Sequence, residues 1–456
     1  MVELHDRHTA TNLKDEVYQK LTELNIDINQ VYSVTVDNGR NMVKMVHLME
    51  KDTTEDIEQY LDCSVDGSMQ KTDEETPNGV DGLEDYDDTM EGFLNDLNDL
   101  ICGHQVACIR CGAHTVQLVV SDVCKDEVHQ RNIKAITKIV VAFHNTKYKN
   151  FFEVSGGKYP SIPGPTRWNS NFLMQQSLLN SKDFFERLGC EYAELDLTTY
   201  WEFIGSFVTA FEPLYDCTLA IQKETCTLSD FFGFWMTAFG RVAALETNIF
   251  RATILASMEI REKALFDNYP FQVAVYMDPR FSFYGSKIFS CSQKERIIDY
   301  LLALHKKINR TTRQESSTPP PAEEAVPSSS QGRFSLNSYL SARLGETSAT
   351  TPQTSTWEMK LRNVQYQQRV DADVPNFNIV QYWAQRRFED PELWQLAKVV
   401  FGAASTQCSV ERDFSQFNII LTKPRNRMKD ENLENVLKIK ANKGIFQRAL
   451  TLAINE

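Results

Sequence analysis

The sequence predicts an α/β unit joined to an all-α unit, and three observations carry that reading. Two short apolar runs, VYSVTV (31–36) and QVACIR (105–110), have the length of buried strands and sit between helical periods, which points to an α/β core with parallel pairing. From Cys111 to about Lys306, apolar residues recur at the helical period alone. Two segments without apolar periodicity, one acidic and one rich in Ser, Thr, Pro and Gln, divide the 456 residues into blocks.

The blocks run 1–50, 51–104, 105–306, 307–357 and 358–456. In the first, residues 1–6 read as the tail of a strand. TATNLKDEVYQKLTELNI then reads as a helix capped by Thr11, with Asp15 and Glu16 in its first turn and Leu13, Val17, Leu21 and Leu24 on one face. After the strand at 31–36, residues 39–50 read as a second helix with Met42, Val46 and Met49 on one side. The second block reads as a solvated, disordered loop. In the third block, the strand at 105–110 leads into helices. Ile133, Ile136, Val140 and Phe143 share one face, and Ile204, Phe207, Val208 and Phe211 another. Residues 307–357 read as a disordered linker, with FSLNSYLSARL as one short ordered piece. The last block shows three stripes: Leu393, Leu396, Ala397 and Val400; Val410, Phe414, Phe417 and Leu421; and Leu433, Val436 and Leu437 behind Asp430.

Composition bounds the function. A 42% hydrophobic content is enough for real cores. No run approaches the roughly 18 apolar residues of a membrane span. The start, MVELHDRHTA, lacks an apolar signal-peptide stretch, so a non-secreted, soluble chain with reduced thiols is expected. The net charge of −14 is local: residues 51–100 hold 17 acidic and 2 basic residues, a net of −15, and the remainder sums to +1. Acidity therefore describes one loop and does not exclude a nucleic-acid partner.

Four constellations carry possible chemistry. Asp37 follows the strand 31–36, where a carboxylate can ligate Mg²⁺ if other acids converge on it; Asp-Asn-Gly is also turn chemistry. Cys102, His104, Cys108, Cys111 and His114 have spacing reminiscent of zinc sites, but Cys108 lies inside a strand and His114 opens an apolar helix, which favours buried thiols and one site-facing histidine. PTRWNSNF sets Arg167 beside Trp168, a pair suited to stacking on an extruded base or to a cation–π contact on a helix. Glu411 lies beside the stripe Val410, Phe414 and Phe417, as a helix-turn charge or a ligand facing Asp37. The basic run KPRNRMK (423–429) is a phosphate contact or a solvated loop.

In order along the chain, HTATNLKDEVYQKL, VTVDNGRNM, IRCGAHTVQL, PTRWNSNF, VYMDPRF, the Tyr382-Trp383 pair and SVERDFSQFNIILTKPRNRM resemble the hAT superfamily of DNA transposases and their domesticated descendants. The resemblance implies an RNase H-like core interrupted by a long, mainly helical insertion, in which three acids hold two Mg²⁺ or Mn²⁺ ions. Asp37 matches the second acid and Glu411 the third; Cys111 and His114 match a Cys-x2-His element near the active site. Arg167 and Trp168 match an Arg-Trp element associated with a flipped base. The last block matches the family's dimerisation region, where Val410, Phe414, Leu433 and Leu437 are the candidate contact residues. A nuclear location follows from the resemblance alone.

The first acid and the zinc-finger module of the family have no counterpart in these residues, so an N-terminally truncated, incomplete core is expected. With Asp37 and Glu411 alone, metal binding is expected to be weak at most and no catalysis is expected. The expected function is self-association, or association with a related hAT-type protein, through the C-terminal block, without a cofactor and without a membrane. The alternatives are an active metal-dependent transposase or nuclease, and a non-catalytic DNA- or chromatin-binding module.

Overall fold

The computed structural model describes residues 9–50, 106–155, 158–164, 168–315, 356–372, 374, 377–412 and 430–442. Among the described residues the fold is mainly helical with one small two-stranded sheet. Helix α1 (Ala10–Glu23) starts two residues earlier than the sequence suggests: Thr9, with an extended backbone, accepts from the Asn12 N–H, and Thr11 lies inside the helix. Ala10, Leu13, Val17 and Tyr18 turn inward, whereas Leu24 comes after the last turn and is 66% exposed.

Strands β1 (Ser33–Val36) and β2 (Ala107–Arg110) pair in parallel, with Ser33 opposite Ala107 and Val36 opposite Arg110. Each is shorter at its start than the apolar run that predicts it. Between them in the chain, helix α2 (40–50) buries Met45, Val46 and Met49 against Ala10, Val36 and Val106. This is the parallel α/β pairing expected of strands that alternate with helices. The acidic loop and residues 1–6 lie outside the described residues.

After β2 the chain is helical: α3 (Gly112–Cys124), α4 (Glu127–Phe143), α5 (Lys149–Ser155), α6 (Trp168–Asn180), α7 (Lys182–Glu191), α8 (Trp201–Ile221), α9 (Leu228–Ala243), α10 (Arg251–Phe266) and α11 (Tyr269–Tyr276). Aromatic residues at helical spacing build its core. Along α8, Phe207 stacks on Phe211 at 4.1 Å, and Phe250 meets Phe203, Phe207 and Phe211 edge-on at 5.4, 5.7 and 5.4 Å. Ile136, Val140 and Phe143 of α4 are buried as their shared face requires. Thr227 and Asp230 form a reciprocal capping box that starts α9.

The chain divides into two compact units. The first holds everything above together with α14 (Ile379–Gln385), α15 (Pro391–Gly402), a helix beginning at 408 (α16, 408–412) and α17 (Asp430–Ala441). Leu393, Leu396, Ala397 and Val400 are buried along α15. The Tyr382-Trp383 pair belongs here too: Trp383 is buried and its Nε1 donates to the Met277 carbonyl at 3.2 Å.

The second unit, described by itself, pairs α12 (Cys291–Glu315) with α13 (Thr356–Asn363). Ile297, Leu301 and Leu361 are buried, and Arg362 bridges Glu295 and Glu358 at 2.7 and 2.8 Å. Helix α12 runs to Glu315, so the low-complexity segment begins inside a helix. The segment FSLNSYLSARL lies outside the described residues.

Candidate functional site

The carboxyl ends of β1 and β2 meet the start of α3 and a loop from the C-terminal block. The Cys111 N–H donates to the Val36 carbonyl at 2.8 Å, which continues the sheet pairing by one residue. Residues 404–407 then close over this end. Thr35 Oγ1 donates to the Ala404 carbonyl at 2.6 Å, and Gln407 Nε2 donates to the Thr35 carbonyl at 2.9 Å. The Gly112 N–H donates to the Ser405 carbonyl at 2.9 Å, and the Gln407 N–H donates to Cys111 Sγ at 3.4 Å. Ser405 Oγ reaches on to the Cys226 carbonyl at 2.9 Å. Gly112 is closely packed here: a Cβ would sit 3.1 Å from the Phe231 ring, which would have to give by a few tenths of an ångström.

Asp37 follows Val36 directly and is exposed. Its Oδ1 accepts from the Gly39 N–H at 3.0 Å, so the turn reading of Asp-Asn-Gly describes one of its oxygens. Cys111 is buried, and Thr115 returns both its N–H and its hydroxyl to the Cys111 carbonyl at 3.0 Å. His114, in the first turn of α3, is half-buried. Glu411 is exposed on α16, one turn beyond Gln407, whose carbonyl takes its N–H at 3.1 Å. Arg412 pins the same helix to the Gln222 carbonyl at 3.1 Å. Asp37, Cys111, His114 and Glu411 thus all belong to segments gathered at one end of the strand pair.

Burial pushes Cys408 up, with Cys111 adding to the effect, and burial pushes Cys108 up to about 11 despite the Arg110 guanidinium nearby. Cys102 and His104 lie outside the described residues, and among the described residues no group of three or more His, Cys, Asp or Glu is placed to hold a metal ion. The described residues do not fit a two-metal centre, which needs more ligands than two acids provide.

Arg167 lies outside the described residues. Trp168 opens α6 and is partly buried in the aromatic core, 6.1 Å from Phe172 and 6.3 Å edge-on to Tyr215. Of the candidate contact residues in the last block, Val410 is 51% exposed and Leu433 is already buried within its own chain, while Phe414, the Leu437 side chain and the basic run 423–429 lie outside the described residues. Sequence reasoning missed Thr35, Ser405 and Gln407. A short polar run with no period, ASTQ, gives no local sign of where its hydrogen bonds end.

Residues 360–442 match the hAT family C-terminal dimerisation region. The chain is 23% identical over 366 residues to the zinc finger BED domain-containing protein RICESLEEPER 1 of Oryza sativa subsp. japonica, across 71% of this chain and 48% of that protein. RICESLEEPER 2 of the same organism is 22% identical over the same shares. A Zea mays protein named as an AC transposase is 23% identical over 393 residues, across 77% of this chain and 46% of its own length. The chain spans about half the length of the relatives it matches.

Proposed function

We propose, for a chain that belongs to the hAT superfamily of transposase-derived proteins, that its function is self-association through the C-terminal block without DNA cleavage by its own residues. The observation that carries the reading is the match of residues 360–442 to a dimerisation region. Exposed apolar side chains within it support the reading: Val410 at 51% and Ile439 at 46% give a second chain something to cover. The same block closes the end of the strand pair through Thr35, Gly112 and Gln407, so an association surface built on it is tied to the core. The reading carries a nuclear location and an RNase H-like origin of the α/β core with it.

Non-catalysis rests on the acids. Asp37 and Glu411 are two carboxylates, and one oxygen of Asp37 is engaged in its own turn. Sedimentation velocity on the full chain tests self-association: a monodisperse monomer at tens of micromolar sinks it. Incubation with DNA and Mg²⁺ or Mn²⁺ tests the second half, with no cleavage expected. Cleavage that disappears in Asp37→Ala overturns it and restores the reading as a metal-dependent nuclease.

A further inference from the structure

The corner between α14 and α15 carries Phe388, which is 83% exposed. The corner is firmly built. The Arg386 N–H donates to the Trp383 carbonyl at 3.0 Å, and the Glu389 and Asp390 N–H groups both donate to the Arg386 carbonyl, at 3.1 and 2.9 Å. Buried Trp383 anchors the helix before it, and Leu393 and Leu396 anchor the helix after it. A shallow hollow of about 290 Å³ opens beside the ring, lined by Gln381, Ala384, Gln385, Arg387 and Phe388. The Arg387 guanidinium lies 4.6 Å from the centre of the Phe388 ring. Glu389 is exposed on the other side in sequence, and among the described residues neither Arg387 nor Glu389 has an ion-pair partner.

A large ring carried in water on a backbone already fixed by hydrogen bonds has only its own two side-chain torsions left to lose on being covered, so it is suited to anchor a contact. The order cation, ring, anion is self-complementary. Across a two-fold axis, each Arg387 faces the other copy's Glu389, and each Phe388 faces the other copy's hollow. A partner of unrelated sequence has no reason to match that pattern, whereas a second copy matches it by symmetry.

We propose that Arg387, Phe388 and Glu389 form the centre of a two-fold contact with a second copy of this chain, each Phe388 seated against the partner's Gln381–Ala384 face. The inference rests on the self-association reading and places its centre away from the Val410 stripe. It is tested by sedimentation velocity on the full chain as wild type, Phe388→Ala, Arg387→Glu, Glu389→Arg, the double reversal R387E/E389R, and Val410→Glu, each checked for native circular dichroism. Phe388→Ala is expected to weaken dimerisation by at least ~30-fold and each single reversal by ~10-fold. The double reversal is expected to return to within ~3-fold of wild type, an outcome that a folding defect does not produce. A Phe388→Ala chain that dimerises like wild type overturns the inference, as does a double reversal no better than the singles. If dimerisation then fails in Val410→Glu, self-association stands and only this placement falls; a monomeric wild type removes both.

Discussion

The strand pair and the helical insertion reach order by different routes. In the insertion, Phe203, Phe207 and Phe211, four apart on α8, stack on one another and meet Phe250 edge-on, so much of this contact is set by the helical period. In the strand pair, Ser33, Val34 and Thr35 stay half-buried, and Val36 and Ile109 alone among the strand residues are fully buried. Among the described residues β1 has one strand neighbour. What completes it is a loop 372 positions away along the chain, through Gln407 and Thr35. The difference sets an aromatic face coded by helical period beside a site completed by a distant segment, and contacts of that separation carry a larger loop-closure cost.

The largest effect expected from breaking this comparison is in the insertion. Phe211→Ala removes a fully buried ring that touches Phe207 and Phe250 and is expected to cost ~3–5 kcal/mol in chemical denaturation. Val36→Ala, in the smaller aliphatic cluster, is expected to cost less, ~1–3 kcal/mol. Equal losses at the two positions contradict a stronger insertion core.

Two thiols sharpen the same contrast. Cys108 lies in β2, and burial raises it to about 11; Cys217 lies in α8, and burial, with Cys226 nearby, raises it to about 12. Cys217 is buried and reacts only when its surroundings open, whereas Cys108 is half-buried. Alkylation of the native protein, resolved by mass spectrometry, is expected to modify Cys108 about a hundredfold faster than Cys217, a gap of ~2.7 kcal/mol in the free energy of exposing the thiol. The exposed Cys190 and Cys291 serve as unprotected standards. Matching rates at Cys108 and Cys217 contradict a looser strand pair.

A smaller effect isolates the docking segment. Gln407→Ala deletes the hydrogen bond to the Thr35 carbonyl and is expected to cost ~1–2 kcal/mol. The loss should be local: amides 33–36 and 107–110 exchange faster, while those of α8 do not change. Uniform acceleration across the first unit contradicts a docking role.

The same division decides what the sequence made legible. Ile204, Phe207, Val208 and Phe211 are all buried, because a helical period is a local property and the packing respects it. The parallel strands and the helix between them were legible for the same reason. The ends of α1 were not: Thr9 and Thr11 are both competent caps, and tertiary burial of Ala10 favours the earlier one. Leu24 fits the apolar stripe on paper but falls past the last turn, where the period no longer sets direction. The docking of residues 404–407 on the strand ends left no sign in the sequence, since the hydrogen bonds that ASTQ makes with Thr35 and Gly112 leave no pattern in either segment. Phe388 went unread because one aromatic residue in a charged run looks the same whether it packs or protrudes.

Helix α3 is the seam of the comparison, with its first residues under the docked loop and its last turn against the insertion. At that turn Asp122 meets Arg261 of α10 at 2.7 Å and accepts from Ser257 at 2.9 Å. Burial pushes the Asp122 carboxyl up, but the donors Lys125 and Ser257 and the Arg261 guanidinium together outweigh it and hold the group below the ordinary carboxylate value. A carboxyl whose folded value is depressed contributes stability that is present above the unfolded value, near 4, and is lost as pH falls through the folded one. Arg261→Gln is therefore expected to lower stability by ~1 kcal/mol at neutral pH, with the gap to wild type closing in acid below about pH 4. A gap that stays constant through that range makes the apolar face of α3, with Val116, Val119, Val120 and Val123 buried, the whole of the seam.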